Sequence, residues 1–278
     1  GVALRALHAR LPKNFVLEER LEAYSSVIEP HPEALRGTWA SACAPITAEG
    51  HVPFSEVRVD LGCGKGSFTA AQAKANPNVL FVAIDTEPIC ISYAAKTIYE
   101  AGIPNAIVVP GTGMKIDEYF SPEEVSVIYL NFPAPFPRIR QAKMRLTDAE
   151  RLMQYRNVLA KEGVVRLKTD SQPLFDFSLE QVEVAGYNFI WKTRDAQTDF
   201  PHDVPSEYEQ KLGAQGAKVH AYLIAPGPVP ADFTPTEPVS LVDYLPEDLE
   251  SLTYVPHGME STVRNLANRA RRLRKKAQ

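Results

Sequence analysis

Asp60, Gly62, Gly64 and Gly66 stand at alternate positions in the stretch VRVDLGCGKGSFTAAQAKA, residues 57–75. Glycines so spaced let a tight turn take positive φ and bring backbone close to a ligand where a Cβ would collide. The Ala-rich segment behind them reads as a helix whose first N–H groups have no partner within the helix. Asp60 precedes the first glycine by two residues, and Asp85 ends the apolar run VLFVAI (79–84). About 20 residues beyond such a glycine turn, an acid reaches ribose hydroxyls in doubly wound folds. The chemistry on offer is the cradling of a nucleoside-bearing ligand. Cys63, inside the turn, reads as a small filler rather than a nucleophile.

A second group lies further along. The run NFPAPFPRIRQAKMRLT (131–147) has prolines at 133, 135 and 137, then Arg138, Arg140, Lys143 and Arg145. Alternate prolines stiffen an extended loop, and the cations behind it suit a phosphate-bearing substrate. Asp170 ends the apolar run 163–169, and the polar segment Ser206, Glu207, Tyr208, Glu209 follows later.

These residues need strands to carry them. Strand and helix signals alternate from about residue 56 to 225. Strands are expected at 57–61, 79–84, 106–109, 125–132, 163–169, 187–193 and 218–224. Helices are expected at about 67–75, 88–101, 147–160 and 173–185, with Thr147 as N-cap of the third and Glu150 three residues on. Such alternation predicts an α/β, doubly wound, mostly parallel seven-stranded sheet of Rossmann-like type, with ligands at the carboxyl ends of its strands. Asp60, Asp85, Asn131 and Asp170 would share that edge.

The organisation expected is an N-terminal helical and loop extension over 1–50, a catalytic domain over 51–225, and a proline-rich linker with a basic tail over 226–278. The linker APGPVPADFTPTEP reads as extended, and 246–252 as a short helix. The tail holds seven cations between Arg264 and Lys276. Two readings stay open for it: a solvated end, or an arm on a polyanion adding affinity without sequence readout. With 278 residues and 45% hydrophobic content there is enough chain for a sizeable core. A net charge of −4 gives no global attraction to nucleic acid, so any such binding needs local basic patches. No run approaches the roughly 20 apolar residues of a membrane span. The beginning, GVALRALHAR, lacks a secretion signal's apolar region. Three cysteines without metal-like spacing suit a reducing cytoplasm, and no metal site is expected.

The turn, Asp-x-Gly-x-Gly-x-Gly, resembles motif I of class I methyltransferases, which bind S-adenosylmethionine. Residues 131–147 resemble the tRNA (guanine-N7)-methyltransferase family, whose members carry F-x-D-P-W-x-K-x-R-H-x-K-R-R-L there. Gly37-Thr38-Trp39, Leu167-Lys168-Thr169-Asp170 and Ser206–Lys211 continue the likeness, in order, over about residues 8–225. The resemblance implies methylation of a variable-loop guanosine in tRNA. It implies Asp60, Gly62, Gly64, Gly66, Asp85, Thr112 and Asn131 at the cofactor. It implies Arg138, Arg140, Lys143, Arg145, Asp170, Ser206, Glu207, Tyr208 and Glu209 at the substrate, with Asp170 and Glu209 as guanine-edge acceptors. The family's acid in D-P-W is Ala134 here, its Trp is Phe136, and its Asp after the third strand is matched by Thr112. A second reading is a relative that binds tRNA or cofactor without efficient turnover. A third draws on Asn131-Phe132-Pro133, which is near the Asn-Pro-Pro-Phe loop of amino-group methyltransferases. Oligomeric state, monomer or homodimer, stays open.

Overall fold

The computed structural model describes residues 11–46, 50–203 and 205–278, with the side chain of Glu207 also outside the description. The opening decapeptide therefore lies outside the described residues. Seven strands form one sheet: β1 (Glu56–Leu61), β2 (Val79–Asp85), β3 (Ala106–Pro110), β4 (Val125–Asn131), β5 (Leu159–Thr169), β6 (Tyr187–Thr193) and β7 (His220–Pro226). Their order is β3-β2-β1-β4-β5-β7-β6. Pairs among β1 to β5 are parallel, and β7 runs antiparallel between β5 and β6. Strands covered on both faces need apolar residues on both, which is why β2 reads VLFVAI without alternation.

The order reverses between β1 and β4. Chain direction leads from β1 outward through β2 and β3, then returns to β4 on the other side of β1. Crossovers leave to opposite sides at that point, opening a crevice at the carboxyl ends. The register puts Asp60 beside Ala83 and Tyr129, and Asn131 beside Lys168, at this edge.

Helices cover the sheet: α1 (Leu17–Ala23), α2 (Ser67–Ala75), α3 (Pro88–Glu100), α4 (Ala149–Tyr155), α5 (Gln172–Val184), α6 (Glu207–Ala214) and α7 (Glu260–Ala277). In α3, Ile91, Ala94, Ala95 and Ile98 recur at helical spacing and pack on Phe81, Val108 and Ala106. Glu87 caps its first turn and Pro88 fills a position where no N–H is needed. On the opposite face, Trp39 is fully buried, and its Nε1 donates to the Tyr119 carbonyl at 2.8 Å. Glu124 accepts from the backbone of Gly37, Trp39 and Ser121. The Gly37-Thr38-Trp39 motif is thus a core plug.

Several expectations shift. Thr147 does not cap α4; Asp148 does, accepting from the Glu150 N–H, because the Thr147 hydroxyl is buried and accepts from Ser178. That helix also stops at Tyr155, and β5 starts at Leu159, four residues ahead of the expected strand. The proline-rich segment is no free spacer. Leu241 N–H and Ser240 Oγ both donate to the Pro137 carbonyl, Lys143 Nζ to Thr236 O, and Gln172 Nε2 to Tyr244 O. Leu241, Met259 and Val263 are buried against Leu174 and Phe177 of α5. The short helix expected at 246–252 is a 3-10 turn, Leu249–Ser251.

Candidate active site

Gly62, Gly64 and Gly66 take φ of +81°, +57° and +80°, the left-handed region that L side chains resist. They differ in what lies around them. A Cβ on Gly66 would sit 2.9 Å from the Cα and Cβ of Ala94, so this glycine exists for the close approach of α2 to α3. A Cβ on Gly64 would meet nothing within 4 Å, and one on Gly62 only a Leu146 methyl at 4.0 Å. Those two face open space. Asp85 secures the turn, accepting from Gly64 N–H at 3.0 Å on one oxygen and Glu87 N–H at 2.9 Å on the other. Each of its oxygens keeps a lone pair for hydroxyls of a ligand. Burial raises its carboxyl above the usual range, opposed by those backbone donors.

Asp60 is 1% exposed. Its Oδ2 accepts from Thr69 Oγ1 at 2.6 Å, while Oδ1 is buried without a partner. Burial lifts its carboxyl to about 6; Thr69 and the Arg166 guanidinium pull against that rise. A second buried polar atom without a partner, Asn131 Nδ2, ends the neighbouring strand β4, and Asn131 Oδ1 accepts from Arg166 at 3.3 Å. Unmet acceptors and donors at a switch-point crevice are what a polar ligand would satisfy. The open cradle, the free lone pairs of Asp85 and the unmet Asp60 oxygen together fit a nucleoside bearing a cationic sulfonium and an amino-acid end. Thr112 sits half-buried in the turn after β3, its Oγ1 accepting from Met114 N–H and its own N–H donating to Tyr119.

The loop after β4 holds two non-glycine residues in the left-handed region, Phe132 (φ 48°) and Phe136 (φ 47°). Each such residue costs on the order of 1–3 kcal/mol and persists only when its surroundings over-determine it. Phe132 N–H donates to Lys168 O at 2.7 Å, and its ring packs edge-on against Tyr208 at 4.9 Å. Arg145 Nε donates to the carbonyls of Pro135 (3.2 Å) and Phe136 (2.9 Å). Its guanidinium lies 4.6 Å over Phe177, fully buried, and burial lowers its pKa to about 10. Arg145 therefore props the loop and is not open to a substrate phosphate, a correction to the expectation. Arg138 and Arg140 are exposed. Lys143 is half-buried, 3.6 Å from Glu150.

Asp170 and Glu209 come to one corner. Asp170 Oδ2 accepts from Tyr254 OH at 2.5 Å and from His257 N–H at 2.9 Å. Glu209 is buried and pairs with Lys168 Nζ at 3.1 Å. Ser206 caps α6 through Glu209 N–H, and Tyr208 is exposed, with His257 6.3 Å from its ring. Of Glu207, only its place in α6 is described.

Sequence reasoning missed Thr69, Arg166, Tyr254 and His257. Arg166 lies in β5 with its guanidinium over Phe68 (5.1 Å) and Tyr129 (4.8 Å), and burial lowers its pKa. An Arg-x-Lys alternation inside an otherwise apolar strand was the available signal, since a cation there needs a reason. Nothing in the sequence pairs Tyr254 with Asp170, 84 residues away.

The model of a putative methyltransferase family matches residues 55–222. A tRNA (guanine-N(7)-)-methyltransferase of Limosilactobacillus reuteri is 33% identical over 206 residues, covering 71% of this chain and 93% of that protein. The enzyme of Lactiplantibacillus plantarum is 34% identical over 198 residues, covering 70% and 89%. The chain belongs to the tRNA (guanine-N7)-methyltransferase family. That family is S-adenosylmethionine-dependent, and the cradle described above fits its cofactor. The family match ends within the last strand, so residues 223–278 lie outside it. An antibiotic-related methyltransferase of known structure is similar with a TM-score of 0.48 and 16% identity, covering 62% of this chain and 88% of that one. The relatives are named as methyltransferases, and nothing in those names supports the reading of a binder without turnover.

Proposed function

We propose that this chain transfers a methyl group from S-adenosylmethionine to N7 of a guanosine in tRNA, in the variable loop. The observation that carries the reading is the switch-point crevice. An open glycine turn, a buried Asp60 oxygen without a partner and the proline-stiffened, basic loop meet there, in a chain whose relatives bear that activity in their names.

When bound, the cofactor supplies a methyl group already activated on a positive sulfur. Guanine N7 carries a free lone pair at neutral pH, so no proton must leave before attack and no general base is required. The protein's task is then in-line positioning, which can contribute roughly 7–11 kcal/mol. Asp60, Gly62, Gly64, Asp85, Thr112 and Asn131 hold the cofactor, and Gly66 shapes the turn from behind. Arg138 and Arg140 are exposed for phosphate, with Lys143 behind them. Asp170, Tyr208 and Glu209 border the guanosine, as the family resemblance implies, and Ser206 sets the helix that presents the last two. Arg166 fixes the orientation of Asn131 by donating to its Oδ1, and Thr69 that of Asp60 by donating to its Oδ2.

Incubation with tritiated S-adenosylmethionine and bulk tRNA, followed by nucleoside mass spectrometry, tests this directly. Label in 7-methylguanosine is expected; label in another nucleoside, or none, would refute it. Three free thiols, Cys43, Cys63 and Cys90, support work in a reducing cytoplasm. Among the described residues no helix is long and apolar enough to cross a membrane.

A further inference from the structure

The 18-residue helix α7 carries Arg264, Arg269, Arg271, Arg272, Arg274, Lys275 and Lys276 against a single acid, Glu260. Its net of +6 sits on a chain of net −4, so the other residues carry −10. Positive charge is concentrated in this one element, and all seven cations are exposed. The one close carboxylate partner among the described residues, Glu250 at 3.5 Å from Arg274, is itself exposed and binds weakly.

Placement turns this charge into a device. The root of α7 is fastened at the catalytic rim. His257 N–H donates to Asp170, Ser171 Oγ lies 3.7 Å from Met259 Sδ, and Met259 and Val263 are buried against Leu174 and Phe177. From Arg271 onward every residue is exposed, and among the described residues the last seven of the helix meet the rest of the chain by an ion pair only at the exposed Glu250. Eighteen helical residues span about 27 Å. Arg264, Arg271 and Lys275 fall on one face at spacings of seven and four, with Arg272 beside them, while Val263, Leu266 and Ala270 hold the other.

We propose that α7 is a rigid arm that lays its Arg264–Arg271–Lys275 face along the phosphodiester backbone of the same tRNA whose guanosine enters the crevice. This rests on the functional reading above and extends it to a surface outside the residues that the family model matches. A helix rooted beside Asp170 and reaching about 27 Å away contacts phosphates remote from the reacting base, adding affinity without reading bases. RNA is favoured over a lipid surface because the apolar face near the root is already buried in the protein.

The test uses the full chain with Arg264, Arg271, Arg272 and Lys275 all changed to Ala, and tRNA binding measured from 50 to 300 mM salt. Losing four phosphate contacts should lower the salt slope by about 3, at roughly 0.7–0.9 per contact. The KM for tRNA should rise at least tenfold at physiological salt, while S-adenosylmethionine affinity by calorimetry is unchanged. A companion variant with Arg264→Lys, Arg271→Lys and Arg272→Lys keeps the charge and should keep the slope. An unchanged slope in the Ala variant overturns the proposal. So does binding to phosphatidylserine vesicles that the Ala variant loses while its tRNA slope persists. If the wild-type chain binds tRNA with the expected slope yet yields no 7-methylguanosine, the activity reading fails and the arm stands. Methyl transfer with no effect of the substitutions gives the reverse.

Discussion

The phenolic hydroxyl of Tyr254 donates to Oδ2 of Asp170 at 2.5 Å, tying the C-terminal segment to the carboxylate just after β5. A second donor, His257 N–H, meets the same oxygen. Asp170 therefore holds the C-terminal segment in place, beside the corner proposed for the substrate. Tyr254→Phe removes one hydrogen bond to a charged acceptor, about 1.5–3 kcal/mol before discounting for the half-buried ring. Thermal unfolding should occur a few degrees lower, with S-adenosylmethionine affinity intact. An unaltered melting temperature would show that the two segments are not coupled through this bond.

Asp60 should make cofactor binding sensitive to acid. Burial raises its carboxyl from 3.8 to about 6, against the pull of Thr69 and Arg166. A folded-state value above the unfolded one means the folded chain binds the extra proton. The stability from this group is complete below about pH 4 and lost as pH rises through about 6, a change of about 3 kcal/mol. A cationic ligand favours the ionised form, so S-adenosylmethionine should bind more weakly as pH falls below 6. Calorimetry of wild type and Asp60→Asn between pH 5 and 8 checks this; matching pH profiles would remove Asp60 from the cofactor site.

Gly64 and Gly66 should respond differently to the same change. Gly66→Ala forces a Cβ to within 2.9 Å of Ala94 backbone and should lower stability by several kcal/mol, read in denaturant unfolding. Gly64→Ala meets open space, so its cost in the free protein is the left-handed backbone alone, about 1–2 kcal/mol. Its larger effect should be on cofactor affinity, because the methyl group enters the cradle. Equal losses of stability would contradict this division.

Arg145 and Arg138 separate in the same way. Arg145→Ala strips two loop carbonyls of their donor and empties space over Phe177. A loss of about 2–4 kcal/mol in stability is expected, together with a slower reaction as the loop relaxes. Exposed Arg138→Ala should leave unfolding unchanged and raise the KM for tRNA several-fold. A stable Arg145→Ala protein with normal turnover would show that the loop holds its shape without the prop.

The α/β architecture is legible in the chain, because uninterrupted apolar runs, capping residues and glycine turns are local signals that survive without their neighbours. Gly62, Gly64, Gly66, Asp60 and Asp85 were legible for the same reason: their roles depend on spacing within one strand-turn-helix unit. That Arg145 faces inward emerges from three-dimensional packing alone, since a cation's burial depends on partners such as Phe177 from a distant helix. The same packing joined Asp170 to Tyr254 and turned a proline-rich stretch into a strap across Pro137. Contacts between residues 84 and 103 positions apart depend on how helices pack on the sheet, and no periodicity in the chain records that packing.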